Sequence, residues 1–288
     1  MIIILFAVIT FVKSFKFTKP YPVNWICVIE NIDVKNKNNI KQLKTIFNKV
    51  PLIIFKNQKL SNLEYYNFVK NFDDTHSSDN IQNIGFRNNK IYDNNIMYNP
   101  VWHMDMVGTN KLPPVVCSLY FDHVPKNGGE TIFNNLENGY SKIDMGLKKK
   151  LEKLISIYEI DIKPHNLDNN GIIKINKENI MDENIQKYPF IFYSDPLYIK
   201  KSILYSPFRF SHFEGHSFEY SWDLLDYIFS EYIMTGDMIQ IKSEINDLVI
   251  FNNRKLIHAT TPTEIYKNEY RSFKTIFLET QTPIYGIN

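Results

Sequence analysis

The chain has 288 residues, enough for one large domain or two small ones. Its 44% apolar and 15% aromatic content can fill a substantial core, which excludes a disordered polypeptide. With 33 basic residues against 31 acidic, the net charge is +2, so there is no electrostatic footprint for nucleic acid. Two cysteines, Cys27 and Cys117, are too few for a disulfide framework, and no CxxC pair exists to build a zinc ribbon. Both stand among apolar residues and read as buried thiols, with a single disulfide left open if the chain is secreted.

Met1 to Val12 is apolar except for Thr10. That run is too short to span a bilayer, and no transmembrane helix is expected. It fits the apolar region of a signal peptide, with a first strand of the folded domain as the alternative. The expected organisation is a hydrophobic leader at 1–16 and one domain at 17–288. A cleaved leader implies the secretory pathway; otherwise the chain is cytoplasmic. Oligomeric state is not legible.

Val23 to Ile32 reads as a strand region. Ile40, Leu43, Ile46, Phe47 and Val50 recur at helical spacing, and Pro51 closes that helix. Leu52 to Phe55 reads as a buried strand. Ser61 and Glu64 form a capping-box pattern for a helix to about Phe72. Residues 73–100 are polar, Asn-rich and aperiodic, which predicts a long loop, functional or mobile. Val115 to Val124 is a strong strand, ending in the turn Lys126 to Gly129. Leu147 to Tyr158 reads as an amphipathic helix with Lys148 to Lys150 on its solvated face. Residues 159–187 read as a polar excursion. Pro189 to Tyr193 and Ser202 to Tyr205 read as strands, and Trp222 to Ile233 as a helix. Three strands close the chain: Met238 to Ile241, Leu248 to Phe251 and Phe273 to Glu279. Early helices and later short strands suggest an α+β class with a double-sheet barrel core.

The chemistry concentrates in Val101-Trp102-His103-Met104-Asp105. In an extended segment, residues i and i+2 point to one side, so His103 and Asp105 can reach the same metal ion. An imidazole and a carboxylate are two parts of a 2-His-1-carboxylate facial triad, which leaves open positions on Fe(II). A lone HxD is common by chance, so its context decides. Gly128-Gly129-Glu130-Thr131 follows, then Asn134-Asn135 and a helix. Asn252-Asn253-Arg254-Lys255-Leu256-Ile257-His258 stands far downstream, and Arg271 lies thirteen residues beyond His258.

In the order and spacing of WHxD, GGxT, NR-x(3)-H and a later Arg, residues 24–280 resemble the taurine dioxygenase/TfdA family of Fe(II)/2-oxoglutarate oxygenases. The resemblance implies a double-stranded β-helix (jelly-roll) core with flanking helices. It implies His103, Asp105 and His258 as the iron ligands, which are also the catalytic residues. Thr131 and Arg271 would hold 2-oxoglutarate, Arg271 by pairing with the distal carboxylate. A planar guanidinium suits that task through two parallel hydrogen bonds. Asn99 matches a substrate-contacting asparagine. The family's next arginine, close to the substrate, has no counterpart; Lys274 or Thr275 stands there, which speaks against a sulfonate such as taurine.

The implied activity is a dioxygenase that consumes O2 and 2-oxoglutarate, releases succinate and CO2, and hydroxylates a small organic substrate. The retained Asp105 favours hydroxylation over halogenation. Desaturation or oxidative cleavage on the same scaffold is the near alternative, and a metal-free jelly-roll binding protein the distant one. Arg254 reads as fixing the turn before the strand that carries His258. Gly128 and Gly129 read as backbone geometry, and His123 and His165 as structural or exposed. His212 and His216, with Glu214 between them, make a weak second metal pair without a third ligand. The run Phe208, Phe210, Phe213, Phe218, Tyr220 and Trp222 reads as core.

Overall fold

A computed structural model of the chain describes residues 16–18, 21, 23–76, 84–89, 102–109, 111–160, 166–167, 173–174, 185–195, 197–261 and 270–287. Residues 1–15 of the expected leader, Asn99 and His165 lie outside them. In chain order the strands begin with β1 (Lys16–Thr18), β2 (Ile26–Glu30), β3 (Leu52–Phe55), β4 (Ile84–Asn89), β5 (Val116–His123) and β6 (Thr131–Asn135). They continue with β7 (Ile155–Glu159), β8 (Asn166–Leu167), β9 (Ile173–Lys174), β10 (Ile185–Pro189), β11 (Ile191–Tyr193) and β12 (Lys201–Ile203). The last are β13 (Phe210–Phe213), β14 (Ile239–Ile241), β15 (Leu248–Asn252), β16 (Leu256–Thr260) and β17 (Arg271–Phe277). The helices are α1 (Ile40–Lys49), α2 (Asn62–Val69), α3 (Leu136–Lys142), α4 (Met145–Leu151) and α5 (Phe218–Ile228).

The largest sheet runs β1-β2-β3-β15-β5-β17-β4, antiparallel except where β2 lies beside β3. Its two faces separate along β5 by simple alternation. Cys117, Leu119 and Phe121 turn inward, while Val116 and Tyr120 turn to the helices. The inward residues pack with Phe133, Ile239, Ile241 and Leu256 of the second sheet, β14-β6-β16. The outward residues meet Leu43, Ile46 and Phe47 of α1 and Tyr65 and Phe68 of α2. Covered on both faces, β3 and β15 are buried at every position, which explains the apolar runs Leu52–Phe55 and Leu248–Phe251. This is an α+β jelly-roll with helices against its outer wall.

The early elements follow the sequence pattern. The α1 helix ends before Pro51 with Leu43, Ile46 and Phe47 inside. Ser61 and Glu64 close a reciprocal capping box on α2, and a 3-10 turn carries that helix to Phe72.

Elsewhere the pattern misleads. The helix expected over 147–158 stops at Leu151, and Ile155–Glu159 forms β7 between β10 and β13. Three lysines fill the last turn of α4, where cations favour a helix end. Beyond them Ser156, Ile157 and Tyr158 gain strand partners on both sides, so tertiary pairing overrides the helical spacing. The helix expected from Trp222 starts at Phe218, capped by Ser217, and changes to a π-turn at Phe229–Ile233. The stretch expected to be a loop over 73–100 contains β4, which pairs with β17. The polar excursion also contains strands, β8 and β9, which pair with each other. Thr131–Asn135 is a strand that the sequence did not reveal, and Asn135 then caps α3. Neither cysteine is in a disulfide; Cys117 is buried as expected, whereas Cys27 is only partly so. Among the described residues, no helix is long and apolar enough to cross a membrane.

Candidate active site

His103, Asp105 and His258 converge on one point. Trp102 and Met104, the alternate positions of the HxD segment, are buried in the apolar cluster with Leu136 and Tyr205. The extended backbone therefore turns His103 and Asp105 to the other side. His258 comes from β16, paired with Phe133 on β6. His103 and His258 form an antiparallel bridge, and their rings lie 4.4 Å apart between centroids. One oxygen of Asp105 is 3.5 Å from His103 Nε2 and the other is 3.6 Å from His258 Nε2. The three ligand atoms lie within 4.8 Å of one another, the one such group among the described residues.

The donor set fits a divalent metal ion. Asp105 Oδ2 is buried and has no hydrogen-bond partner, a costly state that a cation at this point relieves. Burial lowers the His258 pKa to about 3, with Asp105 opposing and His103 and Arg271 adding to the shift. Its imidazole is thus neutral and its lone pair free. Burial pushes the Asp105 carboxyl up, but His258 and His103 outweigh this and hold it below its ordinary value. Phe133 and Phe251 flank the His258 ring at 5.7 and 5.0 Å and keep this side of the site dry.

These shifts carry a pH signature. An unfolded chain protonates His258 near 6.5, whereas the folded apoprotein does so near 3. Between those values the unfolded state binds more protons. The stability tied to a neutral His258 is therefore complete above pH 6.5 and is lost as pH falls towards 3. The depressed Asp105 acts in the same direction. The apoprotein melting temperature should fall over this range, and less steeply in His258→Asn. Parallel profiles for the two proteins would contradict it.

Arg271 lies inside the barrel, 3% exposed, on the β17 face shared with Phe273. Its guanidinium carbon stands 5.3 Å from the Phe121 ring and 4.3 Å from the Phe273 ring. Arg271 donates one hydrogen bond across the barrel to Thr131 Oγ1, at 2.9 Å. Its Nε is buried without a partner. Burial lowers its pKa to about 10 while Glu130 opposes, so it stays charged at neutral pH. Glu130 itself is engaged by Thr261 and Lys242. The result is a buried cation with spare donors, which is what an anionic ligand needs. Gly129 helps to make the room. A Cβ there would stand 2.7 Å from Pro125 and 3.3 Å from Arg271, and its φ of +72° suits glycine.

The other sequence candidates separate cleanly. Thr275 is buried, one alternation from Phe273 on the inward side, whereas Lys274 turns outward to pair with Asp122 at 3.0 Å. Arg254 donates to the carbonyls of Pro113, Thr282 and Pro283, so it does more than hold its own turn. His212 contacts Ser211 and His216 stacks on Tyr220; neither belongs to a metal-ligating group among the described residues. His123 stacks on Tyr270. Of the aromatic run, Phe210, Phe213 and Trp222 are core, but Tyr220 is exposed. Phe208 sets its ring edge-on against His103, 5.4 Å away, and so belongs to the site. Sequence reasoning gave no role to Cys117 or Asn253. Burial, then the nearby Asp105, push the Cys117 thiol well above its ordinary value. Asn253 hydrogen-bonds the backbone of Asp105, and only its place in the Asn252 to Arg254 run marked it.

The family model described as taurine catabolism dioxygenase TauD, TfdA family matches residues 21–273. The chain belongs to the TauD/TfdA family. No curated protein matches it. Among solved structures, a taurine dioxygenase from Burkholderia xenovorans superposes with a TM-score of 0.73 at 16% identity, covering 96% of this chain and 95% of that one. AAD-2 in complex with Mn(II) and N-oxalylglycine gives 0.69 at 16% identity, covering 94% and 99%. At such identities these neighbours speak to the fold alone, and the jelly-roll is theirs too. Membership of the TauD/TfdA family makes this chain an Fe(II)- and 2-oxoglutarate-dependent dioxygenase, an oxidoreductase that uses O2.

Proposed function

We propose that His103, Asp105 and His258 hold the iron, that Arg271 and Thr131 hold 2-oxoglutarate, and that the enzyme hydroxylates a small organic substrate. The observation that carries this reading is the convergence of two imidazoles and one carboxylate, with a buried, charged arginine in the same barrel. When bound, Fe(II) and 2-oxoglutarate together activate O2, coupling decarboxylation to succinate and CO2 with oxidation of the substrate.

The chain's own residues prepare that chemistry. Neutral His258 offers a lone pair without losing a proton, and Asp105 supplies negative charge. Arg271 presents its free donors to the distal carboxylate of 2-oxoglutarate. Thr131 accepts from Arg271, which leaves its hydroxyl hydrogen to donate to the same carboxylate. Phe121 and Phe273 wall the guanidinium against water, which strengthens its pairing.

The retained Asp105 supports hydroxylation over halogenation. With Lys274 turned to Asp122 and Thr275 inward, that strand position offers a sulfonate no cation. Asn99 stays a proposed substrate contact. The apolar run Met1 to Val12 supports residues 1–16 as a leader for secretion, the domain being 17–288. The near-neutral charge supports no role in nucleic-acid binding.

Succinate release should be measured with Fe(II) and 2-oxoglutarate over a panel of amino acids, betaines, aryloxy acids and sulfonates. At least one non-sulfonate should stimulate release and gain one oxygen atom. A product that has lost two hydrogens instead would overturn hydroxylation in favour of desaturation.

A further inference from the structure

We propose that Asn253 is a positioning residue for the metal site, its carboxamide setting the direction in which Asp105 presents its carboxylate. This rests on the reading of His103, Asp105 and His258 as the iron ligands.

Those ligands come from two segments that share little backbone. His103 and His258 exchange N–H···O bonds of 3.0 and 3.1 Å, and this bridge is isolated. In an antiparallel ladder, paired residue numbers keep a constant sum, so the next hydrogen-bonded pair would be 105 with 256. No such backbone pair forms. The Asn253 side chain makes both missing bonds instead. The Asp105 N–H donates to Asn253 Oδ1 at 2.8 Å, and Asn253 Nδ2 donates to the Asp105 carbonyl at 3.1 Å. One side-chain amide thus stands in for a strand partner.

Beyond Asp105 nothing continues the extended path. Met106 has a φ of +62°, in the left-handed region, and begins to carry the chain away. Asn253, in contrast, is anchored. It is fully buried, its Nδ2 also donates to the Pro114 carbonyl at 3.2 Å, and its own N–H donates to Val115 at 2.9 Å. It stands in the turn between β15 and β16, five residues before His258. The same turn therefore delivers one imidazole ligand and grips the backbone of the carboxylate ligand. Fixing both peptide planes of Asp105 limits how its side chain leaves the backbone, and the metal reads that direction.

A purely structural asparagine would affect stability and leave the metal alone. Gln58 provides that comparison, because its buried carboxamide donates to the carbonyls of Ile32 and Lys56 and to none of the three ligands. Mn(II) binding to the full apoprotein, followed by its electron paramagnetic resonance, and apoprotein melting should be measured together. Asn253→Leu should weaken Mn(II) binding about 10–100-fold, the usual range for losing a contact that orients a metal ligand. Asn253→Asp keeps the acceptor for the Asp105 N–H and loses the donors. It should weaken binding less and change the Mn(II) spectrum. Gln58→Leu should lower the melting temperature with Mn(II) affinity unchanged. Wild-type affinity and spectrum in the Asn253 variants would overturn the proposal, whatever their melting temperatures. If Asn253→Leu does not fold, Asn253→Asp decides. A wild type that binds no Mn(II) overturns the ligand reading itself, so the two failures are distinguishable.

Discussion

His258→Ala is expected to abolish turnover and metal binding together. The site offers three protein donors, and His258 is the most enclosed of them, with its ring between Phe133 and Phe251. Removing it leaves a carboxylate and one imidazole, with a gap on the dry side of the site. The loss should exceed the roughly 10–100-fold that follows from removing an outer contact to a ligand. His103→Ala should act likewise. The fold should survive, because the bridge between these two residues uses backbone groups that alanine keeps. Circular dichroism with Fe(II) dialysis separates the two effects. Stoichiometric Fe(II) in a folded His258→Ala protein would remove this residue from the metal site.

Arg271→Ala should raise the KM for 2-oxoglutarate and leave Fe(II) affinity nearly intact. Losing a charged hydrogen-bond partner costs about 1.5–3 kcal/mol, or about tenfold to 150-fold in affinity. Thr131→Ala should show the same change more weakly, since a neutral hydrogen bond contributes about 0.5–1.5 kcal/mol. Arg271 and Thr131 are bonded to each other, so their effects should be less than additive. Arg271→Lys should rescue in part, because an ammonium keeps the charge but loses the planar fork. In the apoprotein Arg271 is a buried charge without an ion-pair partner among the described residues, which is costly. The rise in melting temperature at a fixed 2-oxoglutarate concentration should therefore be smaller in Arg271→Ala. A KM unchanged by Arg271→Ala would show that the anion binds elsewhere.

Much of the candidate site's geometry was legible because it is short-range. His103 and Asp105 are two apart on extended backbone, and that spacing alone turns both to one side. The capping box at Ser61 and the apolar face of α1 are equally local. Tyr158 shows where local reading ends. It continues the helical spacing of Leu147, Leu151 and Leu154, yet belongs to β7, because β10 and β13 lie far away in sequence. The position of β15 between β3 and β5 is likewise set by non-local pairing. Arg271 joins both levels. Its inward direction follows from alternation with Phe273, but its approach to Thr131 depends on two sheets meeting. Asn253 was marked by its place in the NR-x(3)-H run, but its role was hidden for a related reason. Its bonds go to the backbone of Asp105, and a backbone partner leaves no mark on residue type.

The most direct test of the central claim is an anaerobic titration of the wild-type protein with Fe(II) and then 2-oxoglutarate. The visible charge-transfer absorption of the chelate is the signal. The predicted result is absorption that requires both additions and saturates at one equivalent of iron. It should be absent in His258→Ala and need more 2-oxoglutarate in Arg271→Ala. Absence of the band in folded wild-type protein, or its persistence in His258→Ala, would contradict the account.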